Sequence, residues 1–220
     1  MKTVSGLFFV LCTILTTNLS HAQWNVGAIG GWNYSNARRE VESKGRTLFG
    51  VGGVVEYDLS ERYSVIVEPM YLEKGFIKNL PVTEPEMTVK AGYLEFPLFL
   101  KFRLPIKEFV RSFFVVGSSL GYRLKSEVET TISGIPFKAD LKNVTVPLDI
   151  CLCAGGGLEI PFKSFSTFVE CRYSYGLIDQ RKNGNFQATG NGYTITGTVT
   201  DKEWMKYTGI QLMAGIMIPL

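Results

Sequence analysis

Apolar and polar residues alternate with a period of two along most of this chain, the pattern of β-strands that bury one face. Glycine, aromatic and β-branched residues dominate the alternating segments, and helical periodicity is nearly absent after residue 22. The clearest segment is Tyr93 to Arg103, in which apolar residues fill every second position. The pattern predicts eight strands, at Trp24 to Tyr34, Phe49 to Asp58, Tyr63 to Lys74, Tyr93 to Arg103, Ser112 to Arg123, Val146 to Ile160, Ser166 to Gly176 and Trp204 to Leu220.

Each predicted strand has one continuous apolar face and one face of glycine, serine and charged residues. A soluble barrel gives this pattern when the apolar face points inward, and a membrane barrel gives it when the apolar face points to lipid. No apolar stretch after residue 22 is long enough for a membrane helix, so a membrane location requires a closed barrel. The connections, the aromatic residues and the charges help to decide between the two settings.

The predicted connections alternate between short and long, which favours the membrane. Short periplasmic turns and long outer loops are typical of outer-membrane barrels, whereas a soluble barrel has no reason for such asymmetry. The short connections are Ser60 to Arg62, Pro105 to Glu108 and Phe162 to Phe165, and the long ones are Ser35 to Thr47, Phe76 to Thr88, Lys125 to Thr145 and Ile178 to Glu203.

Two of the long connections contain further alternating segments. Glu127 to Ile132 and Phe137 to Val146 flank the turn-like run Ser133 to Pro136, and Tyr193 to Thr200 also alternates. These segments predict extra hairpins, and we expect strands five to eight to project beyond the membrane.

Aromatic residues gather at the ends of the predicted strands, where rings with a polar group suit the two lipid–water boundaries. Strands are rich in aromatic residues in any setting, so this support is weaker than that from the connections. The residues are Trp24, Trp32, Tyr34, Tyr57, Tyr63, Tyr71, Tyr122, Tyr173, Tyr175 and Trp204.

The polar strand faces carry charges of both signs in similar numbers. An eight-stranded barrel has an interior that side chains just fill, and buried charges are tolerated there when they are paired. The alternative is that these charges coat the outside of a soluble barrel. The predicted interior network is Glu56, Glu68, Glu95, Lys101, Arg103, Arg123, Glu170 and Arg172, and Asp149 and Glu159 lie on the same faces.

The first residues have the layout of a secretory signal peptide. Lys2 precedes an apolar run from Leu7 to Leu15, and the small residues of Ser20-His21-Ala22 predict cleavage between Ala22 and Gln23. The organisation predicted is therefore a signal peptide at residues 1–22 and one β-barrel domain at residues 23–220. A bacterial outer membrane is the expected location.

The composition narrows the chemistry. The chain has 23 Lys and Arg against 20 Asp and Glu, scattered rather than clustered, so no nucleic-acid partner is expected. The single histidine is His21, inside the predicted signal, which removes histidine-dependent nucleophiles and zinc sites from the mature chain. Cys151 and Cys153 share one strand face while Cys171 takes the opposite one, so a disulfide between them is not expected. We expect no catalytic, cofactor or metal site.

Several ordered motifs resemble the PorT-like outer-membrane β-barrel family of Bacteroidota, and the resemblance covers essentially the whole mature chain. It implies an all-β, eight-stranded, antiparallel up-and-down transmembrane barrel with short periplasmic turns and long extracellular loops. The family's namesake is linked to protein secretion, but most members have no assigned role. The motifs are Gly30-Gly31-Trp32-Asn33-Tyr34-Ser35, Val67-Glu68-Pro69-Met70-Tyr71 with Lys74-Gly75, Tyr93-Leu94-Glu95-Phe96-Pro97-Leu98 through Lys101, and Tyr173-Ser174-Tyr175-Gly176-Leu177.

The leading functional hypothesis is a non-enzymatic barrel in outer-membrane lipid, whose outer loops contact a surface component or a secretion apparatus. A narrow channel is a second hypothesis, although eight strands leave little free lumen. A soluble lipocalin-like carrier of an apolar ligand is a third, based on the short G-x-W match at Gly30 to Trp32. An enzyme would have to rely on carboxylates alone. Glu68 and Glu95 lie equally far from the middle of their connecting loop and are the candidate pair, with plain structural filling as the favoured alternative.

Overall fold

The computed structural model describes residues 24–38, 43–78, 87–104, 109–132, 135–199 and 205–220. The predicted signal peptide and its cleavage site, Ala22 and Gln23, lie outside these ranges. Within the described ranges, no helix is both long and apolar enough to cross a membrane. The strands are β1 (Trp24–Arg38), β2 (Ser43–Asp58), β3 (Tyr63–Val67), β4 (Met70–Lys78), β5 (Met87–Arg103), β6 (Arg111–Ile132), β7 (Ile135–Asp140), β8 (Leu148–Pro161), β9 (Ser166–Gly176), β10 (Gly184–Gly190), β11 (Tyr193–Val199) and β12 (Lys206–Pro219).

Antiparallel strands close into a barrel in the order β1, β2, β3 with β4, β5, β6, β8, β9 and β12, and β12 pairs back to β1. β3 and β4 together span the wall as one interrupted strand. Each strand that spans the wall, interrupted or not, is called a stave. Val67 pairs with Leu98 and Met70 pairs with Glu95, so the register on β5 does not change across the break. The break falls at Pro69, which has no amide hydrogen to donate to the ladder. The wall thus has eight staves, and the predicted fold class is confirmed.

The apolar strand faces point outward and the charged faces point inward. The outward Trp32, Leu98 and Val116 are 62%, 51% and 58% exposed, whereas Glu56 and Arg172 on the inner faces are at most 2% exposed. Exposed apolar residues on all sides of a barrel are stable in lipid and unfavourable in water. This arrangement excludes the soluble carrier, which requires the apolar faces inside.

The inner face is less polar than the sequence pattern indicated. Ile66, Met70 and Leu72, apolar exceptions in the third predicted strand, are buried inside the barrel. They belong to an interior cluster that also contains Phe99 and Met213. Because side chains fill the interior of an eight-stranded barrel, apolar residues pack between the charged groups there.

The two ends of the barrel differ. At the turn end, β2 joins β3 through residues 59–62 and β8 joins β9 through residues 162–165. At the opposite end, called the loop end, the strands continue well past the predicted boundaries. β1 extends to Arg38 and β2 begins at Ser43, so most of the predicted loop Ser35 to Thr47 is strand. Neither face of these extensions contacts lipid, so apolar and polar residues no longer alternate strictly there. The ladder of backbone hydrogen bonds nevertheless continues.

The loop end also carries extra strands, which confirms the two predicted hairpins. The outer half of β6 pairs with β7 from Glu127↔Asp140 to Ile132↔Ile135, and β7 pairs with β10. β10 and β11 form a hairpin whose two-residue turn, Asn191-Gly192, has positive φ at both residues (47° and 82°). Asparagine and glycine favour this turn because they tolerate the left-handed region. The fifth predicted strand continues in β6 to Ile132, well past its predicted end, whereas β8, β9 and β12 keep nearly the predicted bounds.

The predicted aromatic residues form two groups on the outer surface. Trp24, Tyr57 and Tyr63 lie toward the turn end, where the rings of Trp24 and Tyr57 are 4.7 Å apart. The second group lies toward the loop end and contains Trp32, Tyr34, Tyr71, Tyr122, Tyr173 and Tyr175. Trp204 lies outside the described residues.

Candidate functional site

The described residues form three clusters of ion pairs inside the barrel. The first, the turn-end cluster, joins Glu56, Asp58, Lys101, Arg103 and Glu159. Lys101 Nζ lies 2.6 Å from Glu159 and 3.1 Å from Glu56. Arg103 pairs with Glu56, and its Nη1 lies 2.8 Å from Asp58. Residues from β2, β5 and β8 meet here because inward positions on staves that are not neighbours face each other across a narrow lumen.

The middle cluster is centred on Arg172 of β9, whose side chain is 1% exposed. Its Nη1 donates to Glu68 at 2.5 Å and to Glu170 at 2.8 Å. Its Nε donates to Gln211 Oε1 at 2.5 Å, and Nη2 lies 3.6 Å from the Met70 sulfur. The planar guanidinium thus reaches acceptors on three staves at once.

The loop-end cluster is centred on Lys74 of β4. Lys74 Nζ lies 2.5 Å from Glu95 and 2.7 Å from Asp149, and it also donates to the Cys151 sulfur at 3.4 Å. Ser119 donates a further hydrogen bond to Glu95 at 2.8 Å. Cys151 and Cys153 point into the interior while Cys171 points outward, as the strand pattern predicted.

Each central cation also lies over an aromatic ring. Lys101 Nζ is 4.5 Å from the centre of the Phe113 ring, and Lys74 Nζ is 5.3 Å from that of Tyr93. The guanidinium carbon of Arg172 is 5.0 Å from the Phe99 ring centre. The electron-rich ring face adds attraction for a cation that has lost its water shell.

Every carboxylate in the clusters contacts at least one cation, although the seven carboxylates outnumber the four cations. The predicted pair Glu68 and Glu95 is divided between two clusters, with Glu68 bound to Arg172 and Glu95 bound to Lys74. Glu95 lies opposite Met70 rather than opposite Glu68. Among the described residues, no group of three or more His, Cys, Asp or Glu side chains is placed to hold a metal ion.

The three clusters contain seven of the eight predicted network residues, and the eighth is Arg123. Arg123 donates instead to the carbonyl oxygens of Lys142 at 3.0 Å and Val146 at 3.4 Å, near the loop end. The seven are Glu56, Glu68, Glu95, Lys101, Arg103, Glu170 and Arg172.

Asp149 and Glu159 lie on predicted inner faces, and Lys74 shares its parity with the inward Glu68. Only the structure shows that Lys74 is the centre of a cluster. Two further interior residues were missed. Gln180 lies in a segment predicted as loop, and Tyr207 precedes the part of the last strand where alternation was recognised. Tyr207 shares its parity with the inward Gly209 and Gln211, so the signal was present in the sequence.

Above the loop-end cluster, Tyr93, Gln180 and Tyr207 form a layer across the lumen, called the tyrosine layer. The Tyr93 hydroxyl donates to Gln180 Oε1 at 3.0 Å, and Gln180 Nε2 donates to Asp149 at 3.1 Å. The Tyr93 and Tyr207 rings meet edge to face, 6.2 Å apart. The backbone of Gln180 bonds to Val146 and Met205, which fixes the layer between two segments of the loop end.

The loop-end cavity lies on the outer side of the tyrosine layer and has a volume of about 460 Å³. Its walls come from the extended parts of β4, β5 and β6, from β7, and from the β10–β11 hairpin. They are mainly apolar and include Phe76, Val128, Phe137, Phe186 and Met205.

The outer surface of the β6–β7 extension carries exposed ion pairs. Lys138 Nζ lies 2.6 Å from Glu129, and its hydrogen bond and charge lower the pKa of the Glu129 carboxyl below its usual range. The same contact raises the pKa of Lys138. Both side chains are more than half exposed, so water screens the pair and its effect on stability is small.

The sequence profile described as outer membrane protein beta-barrel domain matches residues 18–180 of the chain. No curated protein matches it in sequence.

Solved structures of bacterial outer-membrane proteins resemble the barrel. A major outer membrane protein from Thermus thermophilus has a TM-score of 0.58 at 11% identity, with 90% of this chain and 99% of that chain covered. Neisserial surface protein A has a TM-score of 0.46 at 11% identity, with 89% of this chain and 96% of that chain covered. The attachment invasion locus protein Ail of Yersinia pestis has a TM-score of 0.41 at 14% identity, with 88% of this chain and 98% of that chain covered. At these identities the Thermus likeness supports the fold alone.

Proposed function

The chain belongs to the outer membrane protein beta-barrel domain family and resides in the bacterial outer membrane, and from this premise we propose that it is a non-enzymatic surface protein. In this proposal the barrel is a closed, lipid-embedded support, and the strands and hairpins of the loop end contact a surface component or a secretion apparatus. The supporting observation is the contrast between a lumen filled with paired charges and an elaborated loop end.

The interior clusters favour a structural role over transport or catalysis. Lys101, Arg172 and Lys74 lie in succession along the lumen, and each bridges two carboxylates from different staves. We propose that this network fills the barrel and holds its staves in register. In a narrow channel, an ion crossing the lumen would have to pass all three clusters, and their ion pairs would have to separate to let it through.

The loop end supplies the surface that the proposal needs. β10 and β11 extend the wall beyond the membrane, and Tyr193 and Ile195 on this hairpin are 64% and 46% exposed. Function in barrels usually concentrates on such outer segments, because the wall itself is constrained by lipid. Exposed apolar residues beside polar ones also suit a protein contact.

We further propose that the chain is a PorT-like member from Bacteroidota with a secretion-accessory role. Its support is the ordered set of motifs, in particular Val67-Glu68-Pro69-Met70-Tyr71 and Tyr93-Leu94-Glu95-Phe96-Pro97-Leu98. The first motif contains Pro69 at the β3–β4 break, and the second contains Pro97 on the facing strand β5. The backbone N–H of Glu68 donates to the Pro97 carbonyl oxygen.

We also propose that residues 1–22 are a signal peptide removed on export, so that the mature barrel domain begins at Gln23. Amino-terminal sequencing of the protein from washed outer membranes tests this point. The expected first residue is Gln23, and a mature chain that still starts at Met1 contradicts it.

The surface role is tested in a strain without the gene, complemented by three forms of the chain. The first is the full chain, the second lacks residues 184–199 of the hairpin, and the third carries Lys163→Ser in the turn between β8 and β9 as a control at the opposite end. Every form should reach the outer membrane and migrate faster on gels when unboiled, as a closed barrel does. The measured traits are the profile of secreted proteins and adhesion of the cells to surfaces.

The full chain and the control form should restore these traits equally, and the hairpin deletion should not. If a correctly folded hairpin deletion restores every trait, the loop-end hairpin is not the contact surface and the proposal is wrong. Discrete conductance from the purified full chain would instead favour a channel.

A further inference from the structure

We propose that Glu68 and Glu170, the two carboxyl groups of the middle cluster, share one proton at neutral pH and together carry a single negative charge opposite Arg172. The bound proton makes the stability of the barrel respond to pH. This inference goes beyond the surface role and does not depend on it. It rests on the geometry of the pair, on the balance of charges around it, and on the size of the adjacent void.

One donor atom holds the two carboxyl groups close together. Arg172 Nη1 lies 2.5 Å from Glu68 Oε2 and 2.8 Å from Glu170 Oε1, so these two oxygens are neighbours. The side chains of Glu68 and Glu170 are 1% and 2% exposed, so water does not screen the repulsion between them. Two carboxyl groups in one buried site tend to keep a proton between them, because ionising both places like charges side by side.

The balance of charges singles out the middle cluster. Each cluster has one carboxyl group more than it has cations. At the turn end the charge of Arg111 also acts on Glu159, and Arg123 acts on the tyrosine layer above the loop-end cluster. Among the described residues, no further arginine contacts the middle cluster. An uncompensated negative charge sealed in the barrel is costly, and taking up a proton removes it.

The other groups that face the pair do not supply the missing charge. Lys101 on β5 lies beside it but already contacts Glu56 on β2 and Glu159 on β8. β8 also contributes the thiol of Cys153, near Arg172. The remaining neighbours are uncharged, namely Val54 of β2, Ile66 of β3, Phe113 of β6, Phe168 of β9, and Gln211 and Met217 of β12.

The space beside the pair is too small for a hydrated ion. A void of about 10 Å³ lies between Glu56, Glu68, Glu170 and Lys101. This is close to the smallest space that holds a single water molecule. The described carboxyl groups here are also not arranged to ligate a metal ion. A proton is therefore the cation that fits.

The shared proton links folding to pH. In the unfolded chain both glutamates are in water and ionised at neutral pH, so folding takes up one proton. Raising the pH opposes this uptake and therefore favours the unfolded chain. While the folded barrel keeps the proton, each pH unit should lower the folding equilibrium constant by up to about ten-fold. Glu170→Gln, a neutral substitute for the protonated group, should remove this part of the pH dependence.

Infrared spectroscopy of the mature chain in lipid vesicles detects the proton directly, because a protonated carboxyl group absorbs apart from a carboxylate. The natural chain should show the protonated band at neutral pH and lose it at alkaline pH. Glu68→Gln and Glu170→Gln should each abolish the band, because the remaining carboxylate then faces Arg172 alone and ionises. Glu129→Gln, in the exposed pair with Lys138, is the control and should keep the band.

Urea unfolding at neutral and alkaline pH gives a second readout. The natural chain and Glu129→Gln should lose more stability on going to alkaline pH than Glu170→Gln does. Faster migration of the unboiled protein on a gel confirms folding of each variant, and if Glu68→Gln does not fold, Glu170→Gln alone decides.

Three results overturn the proposal. Absence of a protonated band in the natural chain at neutral pH means that both carboxyl groups are ionised. A band that survives in Glu170→Gln places the proton on another residue. Equal pH dependence of unfolding in the natural chain and in Glu170→Gln means that folding takes up no proton at this pair.

Discussion

Among single residues, Arg172 illustrates how the interior tolerates buried charge. Its guanidinium is the cation of the middle cluster and faces two carboxylates, Glu68 and Glu170, as well as Gln211. Removing charges from water is expensive, and the cost is offset only when hydrogen bonds and opposite charges surround them closely. The ring of Phe99 on the remaining side adds attraction without adding charge.

Replacing Arg172 by methionine is therefore predicted to be severely destabilising. The substitution preserves much of the volume but leaves two buried carboxylates without their cation. Loss of one member of a buried ion pair costs about 3–5 kcal/mol, and we expect the free energy of unfolding to fall by that amount. Urea unfolding of the barrel in phospholipid vesicles measures it.

Two further variants distinguish loss of charge balance from loss of packing. The triple variant Glu68→Gln, Glu170→Gln, Arg172→Met removes the whole set of charges and should recover a large part of the lost stability. Lys138→Met, in the exposed pair with Glu129, should change stability far less than Arg172→Met. If Arg172→Met is as mild as Lys138→Met, the interior charges do not hold the barrel together.

Among the structural elements, the β10–β11 hairpin is the least firmly attached strand pair. It joins the rest of the sheet through Ala188↔Ala139 and Thr189↔Lys138, whereas β12 pairs with β1 from Asn25↔Pro219 to Arg38↔Lys206. We predict that amide hydrogens on residues 185–198 exchange by local opening, much faster than those on β9 and β12. Hydrogen exchange with mass spectrometry checks this, and equal protection of the hairpin and β12 would show that it is a rigid part of the barrel.

The elements also show where sequence reasoning succeeds. Inside the lipid region, one face meets hydrocarbon and the other meets the interior, so every strand there carries a two-residue alternation that predicts it. The seventh predicted strand, Ser166 to Gly176, has the observed bounds of β9. Beyond the lipid the alternation fades, so the pattern predicts loops for the outer parts of β1, β2 and β5, whereas Glu127 to Ile132 of β6 still alternates and is predicted as part of a hairpin.

The register between staves was the part of the interior that sequence could not supply. Parity alone shows that Glu68 and Glu95 point inward, but it does not fix which residues lie opposite each other. In the structure Glu68 lies opposite Pro97, two residues away from the symmetric pairing, which preserves the inward direction and separates the two carboxylates. The same limit hid the tyrosine layer, because it joins residues from three distant segments.

On the scale of the whole molecule, the clusters follow one another along the lumen, and we expect this succession to block ion flow. A polar recess of about 800 Å³ opens at the turn end and reaches Arg103 and Glu159. Beyond it lie Lys101, Arg172, Lys74 and the tyrosine layer. We predict that the full chain in planar lipid bilayers gives no discrete conductance. Reproducible, ion-selective steps from protein that is folded by the gel-shift criterion would show that the clusters open.

The span of outward-facing residues on a strand indicates how deeply each of them lies in the membrane. On β5, the outward residues from Leu94 to Phe102 span nine positions, close to the roughly 9–11 residues that a transmembrane strand needs. Tyr63 packs against Phe102 at the turn-end limit, 5.2 Å between ring centres, and Tyr122 pairs with Leu94 toward the loop end. Leu98 is midway between these limits and is 51% exposed, so it should lie near the centre of the bilayer.

This placement predicts a cost that depends on depth. Leu98→Arg puts a cation at the centre of the hydrocarbon and should lower the free energy of unfolding by about 2–4 kcal/mol, whereas Tyr63→Arg at the boundary should cost only about 0–1 kcal/mol for the charge itself. Urea titration in phospholipid vesicles measures both, and Tyr63→Leu corrects for the loss of the aromatic ring. Equal costs at the two positions would mean that the apolar belt does not contact lipid at these depths, because in water neither outward arginine would be penalised.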